Sequence, residues 1–243
     1  MSTDPAPARR RPTHRKGRAT LTRESVGQAA LDFLGRHGPA ELTMRALATE
    51  LGVSPRALYN YVEDRRDLIT VAAEIFQSEW RPPALDPARD RWRETLRAYC
   101  RDLRAHYRRH PGMTTLALNE NITMARHPAM LRNVDALIGF FTGIEGTGLP
   151  PRDAYLACME SIRQVVGFVE FQDRPHDRPP ENLDPADLRQ TPPPWLREGA
   201  DDLPHLRRAA EHPHPELPDE VFEFTLDVLI EGIAAAVAKR HDL

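Results

Sequence analysis

Side chains able to read DNA bases cluster in the segment from Leu42 to Val62. Arg56, Tyr59 and Asn60 fall on the outward side of a short predicted helix. Such a helix can lie in the major groove of a duplex and present these side chains to base edges. The pattern therefore indicates recognition of double-stranded DNA.

A first short helix must pack beneath the one that carries these side chains. Thr43 is a typical N-cap for a helix ending near Leu51, where Gly52 permits a left-handed turn. Two helices that cross widely over a short turn need small or apolar residues facing inward. The inward residues predicted here are Ala48, Gly52, Val53 and Leu58.

The second helix has its own start signal. Ser54 is an N-cap, and Pro55 suits the first helical position, where its missing N–H is harmless. This helix is predicted to run through Tyr61. Together the two segments predict a helix-turn-helix.

Helical periodicity continues along the chain, with no strand-like alternation. Further helices are predicted at about 22–34, 64–80, 88–109, 113–118, 128–145, 151–172 and 218–240, and a short one near 195–210. Arg81-Pro82-Pro83 marks a domain edge. The predicted fold is all-α: a disordered basic arm at 1–20, a three-helix helix-turn-helix domain at 21–80 and a larger α-helical domain at 81–243.

Charge is unevenly distributed, although the net charge is only -3 at pH 7. The first 23 residues contain seven Arg or Lys residues and a single acid, Asp4. A basic end on an acidic body suggests a polyanion partner at one end. The arm either adds phosphate contacts or is a solvated tail, and the sequence leaves both open.

The residues that carry this pattern resemble the tetracycline-repressor (TetR) family of regulators. The match covers roughly 22–80, where Leu58-Tyr59-x-Tyr61-Val62 is followed by Asp64-Arg65-Arg66-Asp67-Leu68. A weaker resemblance to the C-terminal domain of the tetracycline-repressor subgroup appears at 148–154, 166–169 and 222–232. The resemblance implies a homodimeric repressor that a small molecule releases from a pseudo-palindromic operator.

The resemblance also assigns roles to individual residues. Arg45 and Arg56 are expected to reach base edges, where an Arg–guanine pair contributes about 1–3 kcal/mol of discrimination. Thr43, Tyr59, Tyr61 and Arg65 are expected to contact phosphates, although Tyr61 fits a core aromatic equally well. The full predicted DNA-binding set is Thr43, Arg45, Ser54, Pro55, Arg56, Tyr59, Asn60, Tyr61 and Arg65.

Two helices are apolar over most of their circumference, at 151–172 and 218–240. Since one buried face does not use so many apolar positions, we expect them to form a four-helix bundle with a second subunit. A larger monomeric core is the alternative. The predicted dimer contacts are Tyr155, Ile162, Val166, Phe222, Leu226, Leu229 and Ile233.

A cavity inside the C-terminal helices is implied for a small hydrophobic or amphipathic ligand. Its predicted lining is Trp92, Tyr99, His106, Met113, Asn119, Met124, Phe140, Gln164 and Phe168, although residues of this kind are often plain core. The 173–215 segment is interpreted as a loop or lid. The subgroup's magnesium-ligand positions fall near Leu116 and Phe171, so we expect no metal and no cofactor.

Other function classes find less support. Histidines at 176, 205, 212 and 214 lack metal-ligand spacing, and no nucleophile motif or phosphate loop occurs, so we predict that the chain is not an enzyme. Cys100 and Cys158 suggest buried thiols. Without a signal or membrane segment, we expect a cytoplasmic protein. A DNA-binding regulator without a small-molecule inducer, either an activator or protein-responsive, remains the alternative.

Overall fold

The computed structural model describes residues 21–119, 127–144, 148–181, 203–211 and 217–238, and all regular structure within these ranges is helical. The predicted arm at 1–20 lies outside them. The helices are α1 (Arg23–His37), α2 (Met44–Glu50), α3 (Pro55–Leu58), α4 (Arg65–Glu79), α5 (Trp92–Arg109), α6 (Gly112–Asn119), α7 (Pro128–Thr142), α8 (Pro151–Phe168), α9 (Arg174–Asp177), α10 (Pro204–Glu211) and α11 (Pro218–Ala238).

Local sequence signals explain where the N-terminal helices begin. Thr22 forms a capping box with Ser25 at the start of α1, and Asp64 caps α4. Each side chain accepts an N–H that the first helical turn leaves unpaired. The α-helical part of α3 ends at Leu58, and turns continue to Tyr61. The observed helix is therefore about one turn shorter than the predicted one.

The helix predicted at 151–172 is longer than expected. After α8 the chain forms a π-helical turn, Val169–Asp173, and passes directly into α9. The prediction of a loop from residue 173 is therefore wrong as far as Asp177. Pro175 has no N–H to donate to a carbonyl of the preceding turn, and the π-helical turn lies directly before it.

The N-terminal helices pack directly on the C-terminal body. α1 lies against α4 and α6, and buried apolar side chains form one cluster across both halves. At the α1–α6 contact a Cβ on Gly112 would lie 2.5 Å from the carbonyl oxygen of Leu34, so only glycine fits there. α6 thus touches the DNA-facing half without an intervening side chain.

The predicted buried thiols are present in the core. Cys100 and Cys158 are both free and buried, and burial raises the pKa of each thiol to about 12. Both thiols are therefore protonated at neutral pH. Within the described ranges, no helix has the length and apolar character needed to cross a membrane.

Candidate nucleic-acid interface and C-terminal cavities

Caps and one left-handed glycine fix the crossing of α2 and α3. The hydroxyls of Thr43 and Ser54 accept backbone N–H groups three residues later, at 3.0 and 3.3 Å. Gly52 has φ of 62°, a conformation that residues with a Cβ rarely adopt. Leu47 and Leu58 are fully buried beneath the two helices. α3 is therefore held at a fixed angle on the protein surface.

Seven of the nine predicted DNA-binding residues lie exposed around this turn. Tyr59 is 54% exposed. Within the described ranges Arg45 and Arg56 form no ion pair, whereas nearby Arg36 pairs with Glu50. Unpaired positive charge on a protruding helix suits a polyanionic partner. The exposed set is Thr43, Arg45, Ser54, Pro55, Arg56, Tyr59 and Asn60.

Two other predicted DNA contacts have structural partners. Tyr61 is half-buried against the core, which favours the packing alternative. Arg65 donates through Nε to the carbonyl of Leu42 at 2.8 Å and through Nη2 to that of Pro39 at 2.9 Å. These bonds tie the start of α4 to the segment before α2. Phosphate contacts from Tyr61 and Arg65 stay predictions.

Arg23 is one of the seven basic residues at the N-terminal end of the chain, and in the structure it forms an ion pair with Asp67. Its guanidinium donates two hydrogen bonds to Asp67, at 2.5 and 2.8 Å, and one to the carbonyl of Tyr61 at 2.8 Å. The hydrogen bonds from Arg23 lower the pKa of Asp67. Sequence spacing gave no sign of this pair, since its members lie 44 residues apart. The pair joins α1, α4 and the end of the α3 turn.

Five predicted ligand residues are buried in the C-terminal body. Tyr99 and His106 line an inner cavity between α4, α5, α7 and α8. Tyr99 also borders an outer pocket that includes Phe140. Trp92 and Met113 are core residues that border neither hollow.

The remaining predicted ligand residues lie elsewhere. Gln164 is exposed on the outer face of α8, away from the inner cavity, because it follows the outward side of that helix. Phe168 packs against Phe222, with ring centroids 4.8 Å apart. The side chain of Asn119 and the whole of Met124 lie outside what the structure describes.

Aromatic rings line the inner cavity. His106 stacks on Phe76 at 4.2 Å, and its Nε2 lies 3.0 Å from the Phe76 carbonyl oxygen. Burial lowers the pKa of His106 to about 4, so the ring is neutral at pH 7 and donates through Nε2 to that carbonyl. Trp80, the last residue of the helix predicted at 64–80, donates through Nε1 to the carboxylate of Asp102 at 2.6 Å. Its ring also lines the inner cavity.

The two positions considered for magnesium carry no ligand atoms. Leu116 is fully buried, and Phe171 is 73% exposed on the π-helical turn. The neighbouring Glu170 accepts hydrogen bonds from Thr115 and Arg174. In the described part of the chain, no group of three His, Cys, Asp or Glu side chains is arranged to hold a metal.

An apolar groove of about 690 Å³ runs between α8 and α11 on the outer surface. Leu229 and Ile233, two predicted dimer contacts, line it. So do Leu156, Phe224 and Val228, which are 50%, 69% and 60% exposed. These three residues were absent from the predicted set.

The other predicted dimer contacts divide between surface and interior. Tyr155 is half-exposed, whereas Ile162 lines the inner cavity. Val166, Phe222 and Leu226 are buried inside the subunit, so they do not lie on an open face. Since α8 and α11 have apolar residues over much of their circumference, periodicity could not tell which side faced inward.

The exposed α3 crosses the short helix α2 at the protein surface, and a larger helical body follows. This arrangement defines a helix-turn-helix DNA-binding regulator. Residues 28–72 match the model for bacterial regulatory proteins of the tetR family. Residues 83–237 match the tetracyclin repressor-like C-terminal domain. The chain therefore belongs to the TetR family of transcriptional regulators. Members of this family are DNA-binding regulators, which confirms the prediction that the chain is not an enzyme.

Individual relatives span different shares of the chain. The transcriptional repressor DrrR1 of Streptomyces coeruleorubidus is 32% identical over 163 residues, 67% of this chain and 57% of DrrR1. The class A tetracycline repressor from transposon 1721 of Escherichia coli is 29% identical over 218 residues, 88% of this chain and 91% of that repressor. The chain thus spans a little over half the length of DrrR1.

Solved structures show the same fold. ActR of Streptomyces coelicolor, in complex with actinorhodin, superposes with a TM-score of 0.70. It is 23% identical and covers 90% of this chain and 98% of ActR. At that identity the match establishes the fold alone.

Proposed function

We propose that the protein is a homodimeric repressor that binds a pseudo-palindromic operator through α3 and leaves it when a small molecule occupies the C-terminal body. The observation that carries this proposal is the pair of exposed arginines, Arg45 and Arg56, on two crossed short helices, neither of which forms an ion pair with a described residue. DrrR1 and the class A tetracycline repressor, both named as repressors, support the direction of regulation.

A second copy of the chain is the proposed occupant of the α8–α11 groove. One short recognition helix gives too few contacts for specificity, so operators of this kind are read by dimers with half-sites about 34–36 Å apart. The groove is apolar at its centre and carries Asp153, Glu160 and Arg163 among its lining residues. An apolar centre with charged residues at its edge suits a self-complementary interface.

The dimer is tested by placing a charge on the groove. Val228→Glu should convert a dimer to a monomer in light scattering, because burying an unpaired carboxylate is strongly unfavourable. Leu131→Glu is the matched control, since Leu131 is 53% exposed on α7 and does not line the groove. A dimer that survives Val228→Glu would contradict the assignment.

Ligand response requires contact between the body and the DNA-facing helices. The α1–α6 contact at Leu34 and Gly112, together with the packing of α4 on α7, provides it. A ligand can shift DNA affinity only if it prefers one of two arrangements of these helices. ActR, which shares the fold and was solved in complex with actinorhodin, supports a ligand site in the body.

The experiment that tests the whole proposal is footprinting on DNA upstream of the gene. The wild-type protein should protect two inverted half-sites, and a ligand found by thermal-shift screening should remove the protection. Protection of a site without two inverted half-sites would contradict binding as a dimer. Protection that no stabilising ligand relieves would favour a regulator without an inducer.

A further inference from the structure

Two hollows in the C-terminal body meet at a pair of side chains. The inner cavity has a volume of about 40 Å³, and the outer pocket, between residues 82–87 and α7, has about 440 Å³. Tyr99 and Asn133 line both. The outer pocket is within the usual range for small-molecule sites, whereas the inner cavity holds only the end of a ligand.

The side-chain amide of Asn133 has a buried hydrogen-bond donor without a partner among the described residues. Its Nδ2 is buried and has no hydrogen-bond partner in the described part of the chain. Buried polar atoms of native proteins are nearly always paired, and an unpaired donor costs stability. An orphan donor between two hollows is explained if a ligand supplies the acceptor.

Two of the polar groups around Asn133 already have partners. The Nε1 of Trp80 is bonded to Asp102, and the Nε2 of His106 to the carbonyl of Phe76. No Asp, Glu, Lys or Arg side chain lines either hollow within the described residues. The outer pocket is walled by three prolines, by small side chains and by the rings of Tyr99 and Phe140. These uncharged, flat walls favour a flat, uncharged molecule, because a buried charge would lack a counter-ion.

We propose that Asn133 is the polar anchor of the ligand site and donates through Nδ2 to a carbonyl oxygen of an uncharged, planar aromatic ligand. The ligand's aromatic body occupies the outer pocket, and its carbonyl end reaches the inner cavity past Tyr99. This inference rests on the proposed function, because the site is the one whose occupancy would alter DNA binding. Asn133 was absent from the predicted ligand residues.

Matched probes test the anchor. 9-Fluorenone and fluorene share a flat skeleton and differ in one carbonyl group, so their affinity ratio reports the hydrogen bond. Equilibrium dialysis with the full chain should show fluorenone binding about tenfold more tightly than fluorene. In Asn133→Ala that ratio should fall to about one through loss of fluorenone affinity. Asp135→Ala, an exposed change on α7 outside both hollows, should keep the ratio.

Three outcomes would overturn the proposal. They are a ratio that Asn133→Ala leaves unchanged, a wild-type protein that does not bind fluorenone, and equally tight binding of 9-oxofluorene-4-carboxylate. The carboxylate should bind at least about tenfold more weakly, since the lining offers it no cation. Failure of the proposed function is separate: it would appear as absence of specific DNA binding by the ligand-free wild type.

A second measurement needs no ligand. Asn133→Leu removes the orphan donor and should raise the melting temperature by about 2–4 °C. A fall of similar size would show that the amide is satisfied in the free protein and would overturn the proposal. The same melting curve shows that the variant folds.

Discussion

Arginines are used in opposite ways in the two halves of the molecule. Arg104 in the body is 9% exposed, donates two hydrogen bonds to Asp173 at 2.6 and 2.7 Å, and lies over the rings of Phe168 and Phe222. Arg45 and Arg56 near the turn are exposed and form no ion pair in the described part of the chain. A paired, buried arginine holds a fold together, whereas an unpaired, exposed one is available to a partner.

The largest expected effect is on the paired arginine. Arg104→Ala should lower the free energy of unfolding by about 3 kcal/mol, because the buried carboxylate of Asp173 would keep only the more distant Arg108, 3.7 Å away. Urea denaturation measures the loss. The double variant Arg104→Met/Asp173→Leu should recover most of it, and Arg152→Ala, at a highly exposed position on α8, should change little. A loss below about 1 kcal/mol in Arg104→Ala would contradict this role.

A pH effect should follow from the neutral His106. Its folded pKa of about 4 lies below the ordinary value of 6.5, so the unfolded chain binds the proton first. Stability should therefore be lost as pH falls from about 6.5 to 4, by up to about 1.4 kcal/mol per pH unit. His106→Phe should lack this component in pH-dependent denaturation. His205→Gln, at an exposed position, should keep it, and equal slopes in all three proteins would contradict the assignment.

The smallest effect is expected at Arg23, a paired arginine beside the DNA-facing surface. Arg23→Ala should cost about 0.5–1 kcal/mol at pH 7, since half of its side chain is exposed. The lowered pKa of Asp67 means that this contribution is present above pH 3.8 and disappears as pH falls through the folded value. Operator affinity should change less than about threefold. A large loss of DNA binding would place Arg23 among the DNA contacts.

How much the sequence predicts depends on how local each signal is. The caps at Thr43 and Ser54 and the turn at Gly52 act within a few residues, so the helix-turn-helix and its exposed face could be predicted. The Arg23–Asp67 pair could not, because only folding brings its members together. The inward side of α11 was equally hidden: Phe222 is buried and Phe224 exposed, although both are phenylalanine on a helix with apolar residues over much of its circumference.

Cavity residues were the least predictable. Trp92 and Tyr99 are both buried aromatic residues of α5, but only Tyr99 borders a hollow. The difference depends on voids left between helices distant in sequence, which no spacing encodes. Asn133 is recognisable only because its Nδ2 lacks a partner among the residues that the structure describes.

The central claim, that α2 and α3 present the exposed Arg45 and Arg56 to DNA, is tested most directly by fluorescence anisotropy with the protected upstream duplex. Arg56→Ala should weaken binding about 10- to 100-fold, with melting temperature and dimer unchanged, because it removes a base contact and no fold contact. Arg152→Ala removes the same charge from α8 and should bind as the wild type does. Equal affinity of Arg56→Ala and wild type for that duplex would contradict the account.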